Sequence, residues 1–274
     1  MGPPSVAEAG PHIGEHPGPD PETPPDPLGV RRAGRACDDA EVSDFDSDWQ
    51  AWRDAREGRL RSPVGWLAIT GIHWLGEEPQ RFADVPGVWR QDEDGTTVEL
   101  DDGVRRLGRL DERGTTLTLG DTVVEVADRD GRTIVRPRHP DSPNLTAYRG
   151  TPCFPPDPAW VVTARVEPDN VLVFEHDGDE HRLVAWDDED GLWVLFRDAT
   201  SGVTTYPAMR QLVLDAPAPD GTVTIDFNRA HNMPCAYTDF ATCPVPPPEN
   251  TLPFAVEAGE QTPVPNQPGA TVEA

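Results

Sequence analysis

Thr222-Val223-Thr224-Ile225-Asp226-Phe227-Asn228 decides how this chain is expected to fold, because its side chains alternate. Val223, Ile225 and Phe227 share one face of an extended segment while Thr222, Thr224 and Asp226 share the other, which is the period of a half-buried strand. Asn228 continues the polar face beside Asp226. Upstream, between Val85 and Phe227, similar short runs rich in Val, Leu, Thr and Trp alternate with Asp-Gly, Asn and Pro turn signals. Strands are predicted over Thr96 to Leu100, Thr115 to Leu119, Thr122 to Ala127, Thr133 to Arg136 and Trp160 to Val166. Further strands are predicted over Val171 to Glu175, His181 to Trp186, Leu192 to Arg197, Arg210 to Leu214 and Thr222 to Phe227. Such a series without intervening helical patterns predicts a mainly β chain, a single antiparallel barrel-like or sandwich domain.

The flanks read differently. Trp49, Trp52 and Leu60 fall on one face at helical spacing, so Asp46 to Arg61 is predicted as an amphipathic helix, capped by Ser47 or Asp48 and ending before Pro63. The apolar run Gly65 to Leu75 is expected to lie buried across the core. Trp66, Trp74, Trp160 and Trp193 are expected in the core rather than as stacking platforms for a ligand. Residues 1–44 are rich in Pro, Gly and acidic residues with almost no large apolar side chains, and are expected to form a disordered tail. The β-rich domain is placed at 45–262, and 263–274 is expected to be a second disordered tail.

Charge and composition exclude several functions. There are 23 basic residues, all Arg and none Lys, against 49 acidic ones, for a net charge of −26. Such a surface repels nucleic acid and anionic lipid, and the absence of Lys removes Schiff-base chemistry. The acidity fits solubility in concentrated salt, or coding bias, better than attraction of a cationic ligand. No export signal and no apolar run of membrane-spanning length is present, so a cytoplasmic location is expected. No Gly-rich phosphate loop, dinucleotide fingerprint or Gly-x-Ser-x-Gly elbow occurs, so neither a nucleotide cofactor nor a serine hydrolase is expected.

The chemically capable side chains gather after Phe227, in Asn228-Arg229-Ala230-His231-Asn232-Met233-Pro234-Cys235, followed by Cys243-Pro244. Asp226 and Asn228 with His231 could orient an imidazole for proton transfer; an Arg-Asp pair with an Asx turn is the structural alternative. Arg197, Asp198 and Arg210 face a similar choice between a charged pocket and a salt-bridged rim. The chain has four cysteines, Cys37, Cys153, Cys235 and Cys243. Cys235 and Cys243 could ligate zinc or another transition metal with help from His231, Cys153 or His73, form a disulfide or redox pair, or be inert buried thiols.

This segment, with Pro247 to Leu252 and Val256-Glu257-Ala258-Gly259-Glu260, closely resembles the signature of the family known as domain of unknown function 1684. The resemblance extends to Gly65-Trp66-Leu67, Gly71 to Leu75, Pro140-Asp141-Ser142-Pro143, Phe196 to Gly202, Thr205-Tyr206 and Arg210, and covers roughly residues 46–262. It implies one β-rich domain with a shared pocket, and no substrate. The family usually carries Tyr where this chain has His231 and a second proline where it has Met233.

The expected function is a cofactor-independent enzyme of hydrolase or lyase type, of the kind found in biosynthesis, acting on a small organic anion at one end of the β domain. Asp226, His231 and Asn228 are the catalytic candidates. Arg197, Asp198, Thr200, Tyr206, Arg210, Arg229 and Asn232 are the substrate-binding candidates. A small-molecule binding protein without turnover is the first alternative, and a metal-binding protein using Cys235 and Cys243 the second.

Overall fold

The computed structural model describes residues 40–263. The expected tails and Cys37 lie outside the described residues, except for the inner ends of those tails. Helix α1 (Ala40–Leu60) comes first and begins inside the stretch assigned to the tail. No proline or glycine separates Ala40 from Asp46, so nothing stops the helix from propagating backward, and Ser47 and Asp48 lie within it instead of capping it. Its inward face carries Phe45, Trp49, Trp52, Arg53, Arg56, Glu57 and Leu60, a helical stripe that mixes aromatic and charged side chains.

Eight strands form the N-terminal half: β1 (His73–Trp74), β2 (Gln80–Phe82), β3 (Val85–Asp92), β4 (Gly95–Leu100), β5 (Gly103–Gly108), β6 (Thr115–Leu119), β7 (Thr122–Arg129) and β8 (Arg132–Arg138). A short helix α2 (Pro143–Ala147) follows. The C-terminal half contains β9 (Val161–Glu167), β10 (Val171–His176), β11 (Asp179–Val184), β12 (Trp186–Asp188) and β13 (Gly191–Phe196). It ends with β14 (Arg210–Asp215), β15 (Thr222–Asp226) and β16 (His231–Asn232). Each predicted strand has its counterpart, and the strands that sequence missed are short or, in β3 and β5, interrupted by glycine and charge.

The strands pair into four antiparallel sheets, ordered β1-β8-β7-β6, β2-β3-β4-β5, β11-β10-β9-β15 and β12-β13-β14-β16. No sheet closes on itself, so of the two predicted architectures the sandwich is the one formed and the single curled barrel is not. Trp89 and Val98 from one sheet meet Val124, Val126 and Val135 from another, giving the N-terminal half its core. Leu172, Phe174 and Leu183 meet Val194, Phe196 and Leu212, with Ile225 and Phe227 closing the larger C-terminal core. Each such side chain contributes about 1.5–3 kcal/mol by leaving water. Asn250, fully buried, donates to the carbonyls of Val184 (2.8 Å) and Leu195 (2.7 Å) and accepts from Val184 N (2.7 Å), so one amide links β11 to β13.

The run Gly65 to Leu75 is only partly buried. Leu67, Ala68, Ile69 and Leu75 are in the core, but Trp66 is half-buried and Trp74 is exposed. Trp74 sits on β1, a two-residue strand at the border of its sheet, with the Arg132 guanidinium 4.7 Å from its ring centre. Trp193 is core as expected, and Trp160 is half-buried and stacked on His176. The motif Pro140 to Pro143 is structural: buried Ser142 donates to the Leu67 carbonyl at 2.7 Å. No helix among the described residues is long and apolar enough to cross a membrane.

Candidate functional site

Helix α1 delivers a charged set into the interior. Arg56 Nε donates to Glu260 Oε1 (3.1 Å) and its Nη2 to the Asn232 carbonyl (2.9 Å). Glu260 Oε2 accepts from Asn232 N (2.7 Å) and from the Tyr237 hydroxyl (2.9 Å). The chain of bonds continues through Thr151 Oγ1 to Tyr148, whose hydroxyl donates to Glu57 Oε1 at 3.0 Å, back on the helix. Arg53 completes it by donating to the Thr151 carbonyl (2.8 Å) and to Cys153 Sγ. Burial raises the Tyr148 and Tyr237 hydroxyls well above the usual phenol range. Burial also opposes charge on Glu260, but the adjacent Arg56 prevails and its carboxyl stays below the ordinary range. This network is therefore an ion pair braced by neutral phenols, which suits anchoring of the helix better than proton transfer.

The predicted catalytic residues sit at the edge of this network without forming a relay. Asp226 Oδ1 accepts from Asn228 N (3.0 Å) and Nδ2 (2.9 Å), and Oδ2 lies 3.3 Å from Arg229 Nε. That is the Asx turn with an Arg-Asp pair, the alternative read from the sequence. Asn228 spends its amide on the backbone of Asp157 at 2.9 Å in both directions. His231 Nδ1 pairs with the Arg229 carbonyl at 2.9 Å, and its ring meets Trp52 edge-on. Among the described residues no contact joins Asp226 to His231.

His231 carries a pH dependence of its own. Burial, and then the nearby Arg56 cation, pull its pKa down to about 4 against the opposing Glu260 carboxylate. In the unfolded chain it titrates near 6.5, so below that pH the unfolded state takes up a proton that the folded state refuses. Stability contributed by neutral His231 is thus complete above pH 6.5 and lost between 6.5 and about 4, by on the order of 3 kcal/mol. His231→Phe keeps the edge contact with Trp52 and is expected to flatten the dependence in that window. Urea midpoints of both proteins across pH 4 to 7 give the difference, and parallel curves would assign the titration elsewhere.

The substrate-binding candidates divide. Arg210 and Asp198 form a buried ion pair of 2.8 Å on the side that sequence assigned to a pocket or a rim. Arg210 also donates to the carbonyls of Val256 (3.0 Å), Glu260 (3.4 Å) and Ala258, and Asp198 accepts from Thr200 N (2.7 Å) and Oγ1 (2.6 Å). These three residues are occupied in docking the segment Val256 to Glu260. Arg197 is exposed and, among the described residues, pairs through its backbone alone, with Asn250 and Leu252. Tyr206 donates to the Cys235 carbonyl at 2.8 Å, and Asn232 Nδ2 to the Gln261 carbonyl at 2.8 Å, while buried Asn232 Oδ1 has no partner among the described residues.

Cys235 and Cys243 pack on one cluster, formed by Trp193, Leu195, Met209 and Met233, and each shifts the other's proton affinity. The additional metal ligands considered from sequence lie with other partners. Cys153 is beside Arg53, and His73 pairs with Asp84 at 2.7 Å in the N-terminal half. No three His, Cys, Asp or Glu side chains gather into a metal-holding group among the described residues.

The site that sequence reasoning missed lies on β8. Arg136 is paired with Glu125 of β7 in register, and Arg138 shares its face. Three guanidinium groups share the single Glu125 carboxylate: Arg138 at 2.7 Å, Arg129 at 3.3 Å and Arg136 at 3.7 Å. Arg136 is 1% exposed, yet its Nε and Nη2 have no partner among the described residues, nor has Arg138 Nε. Both guanidinium groups lie 5.7 Å from the centre of the Trp66 ring, and Cys243 is close enough to Arg136 for each to feel the other's charge. Burial pulls Arg136 below the ordinary arginine range; Glu125 opposes this, and Arg129 and Arg138 add to it. The signal was present in Thr133-Ile134-Val135-Arg136-Pro137-Arg138, where charge alternates with apolar residues at the end of the strand predicted over Thr133 to Arg136. A broad cleft of about 490 Å³ between Arg81, Gly87, Glu99, Asp102 and Arg105 holds none of these residues.

Comparison with known proteins adds a family and no activity. A family described as protein of unknown function (DUF1684) matches residues 170–261, a narrower span than the resemblance drawn from motifs. No curated protein matches the chain. An uncharacterized protein of Haloarcula marismortui, known from a solution NMR structure, is 34% identical over 43% of this chain and 78% of its own, with a TM-score of 0.37. The matched span runs from β10 through Arg210, the Asp226 turn, both loop cysteines and Glu260, and the chain belongs to the DUF1684 family of proteins of unknown function.

Proposed function

We propose that this protein binds a small organic anion, a carboxylate, at the Arg136–Arg138–Trp66 cluster on β8. The observation that carries the proposal is the orphaned edge of Arg136. Nε and Nη2 form the side of a guanidinium that grips a carboxylate with two parallel hydrogen bonds, and here that side is buried without a partner. A buried donor left unmade costs about 1–3 kcal/mol, and more when charged, so a fold keeps one where a ligand completes it. Trp66 supplies an apolar floor, and the excess of three cations over one carboxylate supplies the attraction.

Binding is favoured over hydrolase or lyase chemistry because the acid-base candidates are otherwise engaged. Asp226 is held by its own turn, and His231 stays neutral with Nδ1 on a backbone carbonyl. The test is thermal unfolding of the full chain with acetate, succinate, citrate or inorganic phosphate, at constant ionic strength in chloride. At least one carboxylate is expected to raise Tm, by about 2.7 kcal/mol of stabilisation at a hundred times its Kd. Arg136→Met is expected to abolish that rise while leaving the ligand-free protein as stable as before or more so, since it removes the most distant of three cations that share one carboxylate. Exposed Arg197→Met is expected to keep the rise. If no carboxylate exceeds chloride, or if Arg136→Met responds as the wild type does, the proposal fails.

A further inference from the structure

Cys235 and Cys243 lie outside the helix-anchoring network, Cys243 feels the charge of Arg136 without pairing with it, and the two cysteines come from different local structures. Cys235 sits in the 3-10 turn Pro234–Ala236, and its carbonyl is held by the Tyr206 hydroxyl at 2.8 Å. Cys243 heads the proline-rich tract. The intervening chain contains no strand, so small shifts there cost little. Both side chains are half-buried against the same cluster of Trp193, Leu195, Met209 and Met233, close enough for each to shift the other's proton affinity.

We propose that Cys235 and Cys243 are a reversible dithiol–disulfide pair, oxidised by a hydroperoxide and reduced again by an external thiol. The inference is independent of any anion at Arg136. In the first step the Cys235 thiolate attacks the terminal oxygen of the hydroperoxide. The O–O bond breaks, the alcohol or water leaves with a proton, and Cys235 becomes a sulfenic acid. Cys243 sulfur then attacks Cys235 sulfur, the S–O bond breaks, and the departing hydroxide takes the Cys243 proton as water. The sum is two thiols and one hydroperoxide giving one disulfide, one alcohol and one water.

The roles of the two sulfurs are set by their surroundings. The hydrogen bond from Cys243 brings Cys235 down to about 7 against the opposing effect of burial, and the Tyr206 contact adds to it. The same shared bond, with burial, holds Cys243 protonated. Cys235 is thus the attacking thiolate and Cys243 the resolving thiol. Cys153 is unsuited to attack, since burial pushes it up to about 11, and it stands beside Arg53 rather than on the cluster that holds the pair.

The experiment exposes the full-length protein to hydrogen peroxide beside glutathione as an internal control, alkylates the remaining free thiols and maps peptides without reduction. A linked pair of peptides carrying Cys235 and Cys243 is expected, lighter by about 2 Da than their sum, and dithiothreitol should return both thiols. In Cys243→Ser the reaction is expected to stop at a sulfenic acid on Cys235 that dimedone labels. Recovery of both cysteines as alkylated free thiols from wild-type protein, under peroxide that oxidises the glutathione, would overturn the proposal. So would linkage of either one to a different cysteine. The wild-type map decides even if the variant does not fold.

Discussion

Glu260→Ala is expected to lower the stability of the protein by about 3–5 kcal/mol, the cost of breaking a buried pair and leaving the other charge uncompensated. Glu260 is 2% exposed and receives Arg56 Nε, Asn232 N and the Tyr237 hydroxyl. Without it Arg56 keeps the Asn232 carbonyl and its place 5.7 Å from the Tyr237 ring centre, and burial then works against its charge without the carboxylate that outweighs it. For a domain of this size the loss corresponds to a fall in Tm of about 6–20 °C. Tyr237→Phe removes one of the donors and should cost about 1 kcal/mol. The double variant Arg56→Met with Glu260→Met should recover most of the loss, because the charges leave together. Urea unfolding of the set measures all three, and a Glu260→Ala protein within 1 kcal/mol of wild type would mean that the network does not anchor the helix.

Arg210→Ala is expected to have an effect of similar size, about 3–5 kcal/mol, for a related reason. Arg210 is 1% exposed and holds Asp198 at 2.8 Å together with three carbonyls of the segment Val256 to Glu260, and its guanidinium lies 5.2 Å from the Phe196 ring centre. Removing it frees that segment and, through Glu260, loosens α1 as well. Arg210→Lys should rescue little, since a single ammonium cannot span a planar fork of partners. Arg197→Ala, one strand-end away but exposed, should stay within about 0.5 kcal/mol of wild type. Limited proteolysis distinguishes the two positions. New cleavage near Val256 is expected in Arg210→Ala alone, and equal resistance in both variants would show that Arg210 docks nothing.

Both residues were visible in the sequence, but their roles were not. Arg210 entered as a binding candidate because charge at the mouth of an apolar strand suits a pocket or a rim equally well, and only the count of its partners separates the two. Asp226, Asn228 and Arg229 were better determined, since an Asx turn and an i to i+3 pair are local and need no distant residue. Arg56 lay on the predicted inward face of the helix, between Trp52 and Leu60. Its partner Glu260 is at the far end of the domain, and no local pattern connects them. Arg136 and Arg138 were hidden by a similar ambiguity, because a strand that alternates Arg with apolar residues shows which residues share a face and not what that face meets.

The sequence by itself determined the strands, the helical stripe, the turns and the exclusion of lysine chemistry, because these rest on periods of two and 3.6 and on the composition of a few neighbouring residues. It also carried the family, through motifs in their order. Only the tertiary structure decided that the sheets pair into sandwiches without closing a barrel, that Arg210 is consumed by the fold, and that Arg136 is left with an open edge. Burial and hydrogen-bond satisfaction are properties of residues brought together from distant parts of the chain, and whether a charged side chain is a strut or a ligand site depends on that sum.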